Sequence, residues 1–557
     1  MWPEDATETS LIDFLERAAA ANPDAVFAHF FGLPEQSLLT VSELADRSRR
    51  FGQVLRERGL KTGDLVAVIH ETGPNLLAGF IGAMMAGVIP TIMPPPSKKQ
   101  PKALYWSSHA TLYSRIQPRL ILASPAVAQA YKAGMPEFAD RLLVLSDALL
   151  ASSSPAAPTP TRGDSIAFLQ HSSGTTAHKK GVMLSHRQVI DQVKTYADVI
   201  DLRAGNPIAS WLPLYHDMGL IACFMLPLVV HCPVAMIDPF DWLVRPLMLF
   251  EAIEACKAQY CWLPNFAFQH LANAVRATHS FDLSTIRAFV NCSEPCKPDS
   301  HQTFLASVAR FGVGSGQVQV CYAMAENVFA VTQTRLSAPP KVIAVHRNYL
   351  EERRAVIRPP GTGIELVSCG VPLPDVRVRI VNERRQTRED GHIGEIAISG
   401  PTLFSGYNGQ SELTEQVLIQ GEYFSGDLGF ILNGQLYVVG RKDDMIIVYG
   451  RNFLAHELEA IANQVAGVKP GRVVALGVAR RPGAPQELAL LYELFDGFEA
   501  KAVSREIHTE LQEAAGVAPT YLICRPGGSL IKTTSGKVSR SLNKAVLERE
   551  LCTAELN

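Results

Sequence analysis

A run of small hydroxyl residues ending in lysine lies in the first third of the chain. Residues 172–181 have the sequence Ser-Ser-Gly-Thr-Thr-Ala-His-Lys-Lys-Gly. Hydroxyl groups, a glycine that lets the backbone approach closely and a lysine charge are suited to bind phosphate. The Walker pattern Gly-x4-Gly-Lys-[Ser/Thr] is absent, and taken alone the run is also compatible with a solvated polar turn. The candidate ligands are Ser172, Ser173, Gly174, Thr175, Thr176 and Lys180.

A second lysine motif lies near the other end of the chain. Residues 532–537 read Lys-Thr-Thr-Ser-Gly-Lys, which places Lys537 on a Ser-Gly turn. A surface lysine on a loop is the alternative interpretation. Between the two lysine motifs lie four others: Tyr215-His216-Asp217, Tyr322-Ala323-Met324-Ala325-Glu326, Ser425-Gly426-Asp427 and Gly440-Arg441-Lys442-Asp443.

This ordered set of six motifs resembles the adenylate-forming superfamily, which includes acyl-CoA ligases, fatty acyl-AMP ligases and the adenylation domains of peptide synthetases. The resemblance covers nearly the whole chain, and six motifs in order are far more specific than one. It implies that ATP activates a carboxylate, so that an acyl-adenylate forms and pyrophosphate leaves. Such a site must screen three phosphates, hold Mg²⁺ and place a cation where the carboxylate meets the α-phosphorus.

The resemblance implies a role for each motif. Lys537 would neutralise the charge that develops between carboxylate and α-phosphate, while His216 would orient the substrate carboxylate. Glu326 would hold Mg²⁺. Asp427 would accept hydrogen bonds from both ribose hydroxyls, and Arg441 would reach the ribose or a phosphate. The other implied positions are Ser293, Glu294 and Pro295 along the adenine, Tyr322 stacked on the base with Ala323 and Met324 beside it, Asp217 at the acid, and Asp443 at the hinge of a C-terminal domain.

The phosphate loop departs from the family pattern at two positions. Ala177 stands where the family usually has glycine, and Lys179 stands where it has proline. If the glycine position needs positive φ, alanine costs about 1 kcal/mol there. Lys180 directly precedes Gly181 as in the family, so it is favoured over Lys179 as the phosphate ligand. The departures motivate a lesser alternative, a weakly active protein that binds adenylates, but retention of the other motif residues opposes it.

Three features favour the fatty acyl-AMP ligase branch of the superfamily. The stretch from Trp211 to Ile221 is close to that branch's pattern, and Pro264-Asn265-Phe266-Ala267 resembles its acyl-pocket wall. Phe266 and Met324 are therefore candidate acyl contacts. The stretch from about 335 to 368 is longer than acyl-CoA ligases usually carry, and its residues 347–354 have a helix-like pattern.

In that branch such an insertion restrains the C-terminal domain and disfavours CoA. The resemblance thus implies that a carboxylic acid, most consistently a fatty acid, is transferred to the phosphopantetheine thiol of an acyl carrier protein, as in lipid metabolism or polyketide and lipopeptide biosynthesis. An acyl-CoA ligase with the same first half-reaction is the alternative, and the insertion would then be an ordinary charged surface loop. The Phe-Asp-x-Ser pattern of amino-acid adenylation domains is absent, which argues against a free α-amino acid substrate.

Length, composition and charge limit the classes of fold and function that the chain can have. The chain has 557 residues, 47% of them hydrophobic, and a formal net charge of −2. These values indicate a globular protein of two to four domains and argue against nucleic-acid binding. The most apolar run, Leu76 to Ile89, is shorter than the roughly 18–20 residues of a membrane helix, so it is predicted to be a buried helix. The ten cysteines form no disulfide or zinc framework, and the first residues lack signal-peptide features, so a cytoplasmic location is expected.

The elements that must position these motifs alternate between strand-like and helical patterns, which predicts α/β layers with largely parallel strands. The predicted strands of the first part of the chain are 65–69, 120–122, 142–145 and 166–169. We therefore predict an α/β multidomain fold in two parts. A large N-terminal domain, residues 1–442, contains layered α/β subdomains and a small β-rich subdomain at about 364–440. A small mobile α+β C-terminal domain follows over 443–557.

Overall fold

The structure of the chain is a computed structural model that describes residues 10–32, 37–96, 101–171, 180–346, 348–479, 481, 484–532 and 538–554. Several predicted site residues lie outside the described residues. They are Ser172, Ser173, Gly174, Thr175, Thr176, Ala177, Lys179 and Lys537.

The α-helices of the described part, in chain order, are α1 Leu11–Ala21, α2 Val41–Glu57, α3 Pro74–Met85, α4 Lys102–Ile116, α5 Pro125–Gly134, α6 Asp147–Ala151, α7 His186–Val199, α8 Leu226–Val230, α9 Pro239–Val244, α10 Met248–Cys256, α11 Asn265–Ala274, α12 Pro298–Val308, α13 Ser411–Val417, α14 Ala455–Ala462, α15 Ala500–Ala515 and α16 Arg540–Ala554. A π-helix covers Met218–Met225.

The strands, in the same order, are β1 Val26–Phe31, β2 Ser37–Thr40, β3 Leu65–Ile69, β4 Ile89–Ile92, β5 Leu120–Ala123, β6 Leu142–Val144, β7 Ile166–His171, β8 Gly181–Ser185, β9 Ile208–Ser210, β10 Val234–Ile237, β11 Tyr260–Leu263, β12 Ala288–Cys292, β13 Val318–Ala323, β14 Ala330–Gln333, β15 Val342–Val345, β16 Ile357–Arg358, β17 Ile364–Val367, β18 Val371–Pro372, β19 Arg377–Val381, β20 Gly394–Ser399, β21 Leu418–Ile419, β22 Glu422–Leu432, β23 Gln435–Arg441, β24 Met445–Val448, β25 Arg451–Leu454, β26 Val468–Val478, β27 Glu487–Leu494 and β28 Tyr521–Arg525.

The first sheet is parallel and has the order β4-β3-β5-β6. All five residues of β3 are buried, as expected for a parallel strand covered on both faces. The prediction of one helix over Leu76 to Ile89 is wrong, because α3 ends at Met85 and Ile89 begins β4. Gly87 turns the chain between them with φ +75°. Pro90 is tolerated within β4 because β4 is an edge strand.

The largest sheet places three predicted motifs at one edge. Its order is β18-β14-β13-β12-β11-β9-β10-β1-β2, and the six strands from β13 to β1 in that order are parallel. The histidine motif follows β9, Ser293 and Glu294 follow β12, and Glu326 follows β13. Since carboxyl ends of parallel strands meet at one edge, this is where an α/β protein binds its ligands.

The predicted strand at 166–169 forms, but it does not join a parallel sheet. It is part of β7, which pairs antiparallel with β8, the next strand in the chain after residues 172–180. This hairpin leaves Lys180 immediately before β8 and beside the segment 405–408, whose Asn408 N–H donates to Gly181 O at 2.8 Å.

The predicted β-rich subdomain is a five-stranded antiparallel sheet of β19 to β23. The insertion forms a separate antiparallel sheet in the order β16-β15-β17. The helix-like pattern at 347–354 misleads, because the described residues 348–353 are turns and Arg354 forms an isolated bridge with His392. The apolar side chains there, Tyr349 and Leu350, pack into a buried cluster with Phe430 and Tyr437, so tertiary packing overrides the local helical pattern.

The last part of the chain folds around its own core. Strands β26, β27 and β28 form a three-stranded sheet, and α14 and α15 cover one of its faces. The predicted fold class, a large N-terminal α/β domain and a small α+β C-terminal domain, is confirmed. The boundary between residues 442 and 443 stays a prediction. Within the described ranges, no helix is both long and apolar enough to cross a membrane.

Candidate active site

Tyr322, Asp427 and Arg441 come together from two sheets. Tyr322 is the next-to-last residue of β13, while Asp427 and Arg441 are register partners on β22 and β23. The Tyr322 hydroxyl donates to Asp427 Oδ2 at 2.6 Å, and Arg441 Nε lies 3.2 Å from Asp427 Oδ1. Three residues predicted to bind adenine, ribose and phosphate thus form one connected group.

Burial and neighbouring groups have opposing effects on the pKa of the Asp427 carboxyl. Burial raises the pKa of this carboxyl, while the neighbouring Arg441 guanidinium and the Tyr322 hydroxyl lower it. The net direction is upward. A carboxylate in this position has strong acceptor oxygens and little competing water, which suits it to bind a pair of hydroxyls.

Glu326 lies close to this group but is held by different residues. Its side chain is buried, and its Oε1 accepts a hydrogen bond from the Tyr407 hydroxyl at 2.8 Å. Its backbone carbonyl accepts from Phe404 N at 2.9 Å. Both contacts come from the segment between β20 and α13, so that segment fixes the carboxylate.

A strained turn follows Glu326. Val328 has φ +61° and ψ −56°, and Phe329 N donates to Asn327 O at 2.6 Å, which closes a three-residue γ-turn. Positive φ is unfavourable for a β-branched residue and costs on the order of 1–3 kcal/mol. The Asn327 side chain stabilises the turn by donating to Ala330 O and accepting from the Thr402 hydroxyl. Val328 is fully buried, so packing also holds it in place.

Lys180 stands on the other side of Tyr407. Its Nζ lies 5.0 Å from the centre of the Tyr407 ring, within the range of a cation–π contact. The lysine predicted to bind phosphate and the carboxylate predicted to bind metal therefore touch the same tyrosine.

The histidine motif turns sharply into the π-helix. His216 N donates to Pro213 O at 3.2 Å, and Leu220 N donates to His216 O at 2.8 Å. The Asp217 side chain accepts from Met218 N at 2.8 Å and begins the π-helix. π-helical turns are rare and often lie at functional sites.

Gly219 is required by a close backbone approach in this turn. A Cβ atom on Gly219 would lie 2.3 Å from Pro213 O and 2.9 Å from Pro213 C. The obstacle is backbone, so no change of rotamer relieves it. Gly219 therefore fixes the turn that carries His216.

The predicted adenine segment contacts the predicted acyl-pocket wall. Ser293 has φ +69°, and Glu294 Oε2 accepts a hydrogen bond from Phe266 N at 3.0 Å. Phe266 lies edge-on to Trp211 and Trp242, which stack at 3.7 Å. The aromatic group of Phe266, Trp211 and Trp242 thus lies between the nucleotide segment and the strand that leads to His216.

The remaining predicted residues surround this region. Ala323 and Met324 follow Tyr322 and are partly buried, and Pro295 follows Glu294. Asp443 is exposed in a short 3-10 turn, Lys442–Asp444. Its neighbour Asp444 accepts from Arg540 Nη1 at 2.7 Å, and Arg540 also pairs with Glu459 through Nε and Nη2.

Sequence reasoning missed Tyr407 and Arg540. Tyr407 stands in Phe404-Ser405-Gly406-Tyr407-Asn408-Gly409, which has the composition of an ordinary turn. Arg540 lies three residues after Lys537, and a lone arginine there has no feature that separates it from a surface charge. Only the tertiary contacts connect Tyr407 to Glu326 and Lys180, and Arg540 to Asp444 beside the predicted hinge.

The carboxylates present fit a magnesium ion that is bound mainly by a nucleotide. No group of three or more His, Cys, Asp or Glu side chains suited to hold a metal is found among the residues the structure describes. Glu326 is a single buried carboxylate. Mg²⁺ keeps several waters and is usually held by one or two carboxylates together with substrate phosphates, so one such ligand is sufficient.

Comparison with known proteins agrees with this geometry. Residues 15–408 match the AMP-binding enzyme family, so the chain belongs to that family. Its members use ATP, and the chain is an acyl-adenylate-forming ligase.

Individual relatives cover almost the full chain. It is 25% identical over 565 residues to the medium-chain-fatty-acid–[acyl-carrier-protein] ligase JamA of Moorena producens, covering 97% of this chain and 94% of the relative. It is 26% identical over 575 residues to the putative fatty-acid–CoA ligase fadD25 of Mycobacterium tuberculosis, with 96% and 97% covered. A solved structure from a study of fatty acyl-adenylate ligases of E. coli and L. pneumophila superposes with a TM-score of 0.91 at 27% identity, covering 98% of this chain and 99% of that one.

Proposed function

We propose that this ligase activates a fatty acid with Mg²⁺ and ATP and then transfers the acyl group to the phosphopantetheine thiol of an acyl carrier protein. In the first half-reaction a carboxylate oxygen attacks the α-phosphorus, and the bond to the β-phosphate oxygen breaks, so acyl-AMP forms and pyrophosphate leaves. In the second, the thiol sulfur attacks the acyl carbon, and AMP leaves as the carbon–oxygen bond breaks.

The site residues divide these tasks. Tyr322 stacks on adenine, Asp427 accepts from the ribose hydroxyls, and Arg441 opposes the rise that burial causes in the pKa of Asp427 and reaches the ribose or a phosphate. Lys180 binds phosphate. Glu326 would hold the Mg²⁺ of the nucleotide, and that ion would supply screening of the phosphate charge. His216 and Asp217 orient the acid beside Phe266 and Met324. The other positions, namely the phosphate-loop residues 172–176, the adenine segment 293–295, the catalytic Lys537 and the hinge Asp443, keep the roles that the family resemblance implies.

One observation carries the choice of a carrier protein over CoA: the insertion contacts the C-terminal domain directly. The Tyr349 hydroxyl donates to Glu457 Oε1 at 2.7 Å, and Glu351 Oε1 lies 2.7 Å from Arg451 Nε. Leu454 packs into the cluster formed by the insertion and the β-rich subdomain. A C-terminal domain held in this way is slower to adopt a second orientation. A carrier protein can offset this restraint with its own contacts, whereas CoA, a small thiol cofactor, has less surface to do so.

The relatives support fatty acids as substrates and leave two acceptors open. The JamA relative is named as an acyl-carrier-protein ligase, and the fadD25 relative is named as a putative CoA ligase. An acyl-CoA ligase is therefore the alternative. The insertion contacts favour the carrier protein.

A thiol-competition assay tests the proposal. The purified protein, ATP, Mg²⁺ and a panel of carboxylic acids are offered CoA in one reaction and a holo acyl carrier protein in another. We expect acyl-adenylate to persist with CoA and to become acyl-carrier thioester with the carrier protein. Ready formation of acyl-CoA would move the protein to the CoA ligase branch.

The Lys537→Ala variant separates the two half-reactions. We expect it to lose most pyrophosphate release while still transferring the acyl group from added acyl-adenylate, since its charge is needed only during adenylation. Equal loss of both half-reactions would contradict this role. A wild-type protein that releases no pyrophosphate with any acid would instead support the weakly active adenylate-binding alternative.

A further inference from the structure

Tyr407 contacts two charged residues of the site through different parts of one side chain. Its hydroxyl donates to Glu326 Oε1 at 2.8 Å, and its ring faces Lys180 Nζ at 5.0 Å from the ring centre. Glu326 and Lys180 lie on separate elements, one after β13 and the other before β8. Within the part of the chain that the structure describes, Tyr407 thus connects Glu326 with Lys180.

The backbone around Tyr407 is fixed to the strand that begins after Lys180. Met183 N donates to Gly406 O at 3.0 Å, Ser405 N donates to Met183 O at 2.9 Å, and Asn408 N donates to Gly181 O at 2.8 Å. These bonds flank an isolated antiparallel bridge between Tyr407 and Val182 of β8. The position of Tyr407 relative to Lys180 is therefore set by backbone pairing and does not depend on side-chain packing alone.

The side chain itself has little freedom. It is buried, its ring packs at 4.8 Å on the ring of Phe404, and its backbone N–H donates to the Thr414 hydroxyl at 2.9 Å. Burial, followed by the nearby Glu326 carboxylate, raises the pKa of the Tyr407 hydroxyl well above its usual range, so it stays protonated and donates.

We propose that Tyr407 is a positioning residue for adenylation: its hydroxyl sets the Glu326 carboxylate for the metal ion of the nucleotide, and its ring sets Lys180 for phosphate. This inference rests on the proposed function, because the roles of Glu326 and Lys180 come from there. It adds a physical coupling between the Glu326 carboxylate, which would hold the metal ion, and the Lys180 ammonium group. One rigid side chain, that of Tyr407, contacts both and so determines the distance between them.

Two substitutions separate the two contacts. Tyr407→Phe keeps the ring and removes the hydroxyl, whereas Tyr407→Leu removes both. Affinity is measured by calorimetry with α,β-methylene-ATP, first without metal and then with Mn²⁺ added to the protein–nucleotide complex. Pyrophosphate release as a function of Mg²⁺ concentration is measured in parallel.

We expect Tyr407→Phe to bind the metal-free analogue like the wild type but to bind Mn²⁺ roughly tenfold more weakly, because a hydrogen bond to a charged group is lost. Tyr407→Leu should show the same weakening for Mn²⁺ and also bind the metal-free analogue about threefold more weakly, because Lys180 loses its cation–π contact. Mn²⁺ affinity unchanged in Tyr407→Phe, or metal-free affinity equal in the two variants, would overturn the inference.

A control and a double variant separate positioning from folding. Tyr260→Phe removes another buried hydroxyl, which donates to Ile200 O and Asp201 O at 2.9 Å at the amino end of β11, and should change neither affinity. If Tyr407→Leu unfolds, Tyr407→Phe is examined in the Glu326→Gln background. There it should cause no further loss of Mn²⁺ affinity, and an undiminished loss would overturn the inference. A wild-type protein that binds no analogue would instead reject the proposed function.

Discussion

The candidate nucleotide site and the contact between insertion and C-terminal domain are built differently. In the nucleotide site, Glu326 and Asp427 are buried carboxylates, each accepting a tyrosine hydroxyl at 2.8 Å or less. At the insertion, the Tyr349 hydroxyl donates to Glu457 in the same way at 2.7 Å, but the second polar contact, the ion pair of Glu351 and Arg451, is partly exposed, with 33% and 40% of the side chains accessible. The carboxylates of the candidate site are thus fixed by buried hydroxyl contacts, whereas the insertion is joined to the C-terminal domain by one contact of that kind and one more exposed ion pair.

Energetics explain this contrast. An exposed ion pair contributes about 0.2–1 kcal/mol, and a hydrogen bond to a charged partner about 1.5–3 kcal/mol. The strained turn at Val328, by contrast, persists only because the packing and hydrogen bonds around it outweigh its cost. The strained turn therefore lies beside the candidate metal ligand Glu326, whereas the weakest of these polar contacts lies between the insertion and the C-terminal domain.

The largest expected effect comes from removing the Glu326 carboxylate. Glu326→Gln should lower pyrophosphate release at least roughly a hundredfold, because an amide is a poor ligand for Mg²⁺. Excess Mg²⁺ should restore only part of the activity. The matched control is Glu365→Gln, which changes an exposed carboxylate in β17 of the insertion. A Glu326 variant that keeps wild-type activity at low Mg²⁺ would remove this residue from the site.

The next effect concerns the turn that carries His216. Gly219→Ala should weaken use of the acid roughly ten- to thirtyfold, because the new Cβ must displace the Pro213 carbonyl and with it the turn. The change should appear as a higher KM for the acid and a lower kcat, with little change in the KM for ATP. In the control Gly79→Ala the nearest atom is the end of the flexible Leu145 side chain. Equal effects of the two variants would contradict the positioning role.

The first parallel sheet and the insertion differ in how far the sequence predicts their structure. The strands at 65–69 and 120–122 are confirmed, because short apolar runs between turns are a local pattern and the sheet buries them on both faces. The turns at 348–353 were mispredicted as helix, because Tyr349 and Leu350 pack on Phe430 and Tyr437, which are about 80 residues away in the sequence. Local pattern determines the sheet, and distant packing determines the insertion.

The candidate site shows the same division. Residues whose order in the chain is itself a pattern, such as Tyr322, Glu326, Asp427 and Arg441, are found close together. Tyr407 is not predictable in this way, because its function depends on contacts with Lys180 and Glu326 that lie on other elements. A motif search finds the groups predicted to bind the substrate more readily than the groups that hold them.

A third prediction concerns the opposing effects of burial and Arg441 on the pKa of Asp427. Arg441→Met should weaken ATP binding about tenfold, since a charge-assisted contact is lost. It should also change the pH dependence. Burial raises the pKa of Asp427 and Arg441 opposes that rise, so without the guanidinium the pKa rises further. Since ionised Asp427 is the form that accepts from ribose, affinity falls as the pH falls through this pKa, and the fall should begin at a higher pH in the variant. Calorimetry of ATP binding across pH checks this, and parallel pH profiles would contradict it.

The smallest expected effect tests the insertion contact. Tyr349→Phe combined with Glu351→Gln removes the two polar contacts to Glu457 and Arg451. Because such contacts contribute at most a few kcal/mol, we expect acyl-CoA formation to rise about threefold relative to acyl-carrier thioester, with pyrophosphate release unchanged.

The matched control for the insertion is Glu383→Gln. It removes the partner of Arg353 at 3.2 Å, an ion pair that joins the insertion to the β-rich subdomain and not to the C-terminal domain. If the insertion acts by restraining the C-terminal domain, only the first pair of substitutions changes the choice of thiol. If both changes have the same effect on the choice of thiol, that choice depends on the stability of the insertion itself and not on its contacts with the C-terminal domain. The difference between the candidate nucleotide site and the domain contact would then no longer explain the choice of acceptor.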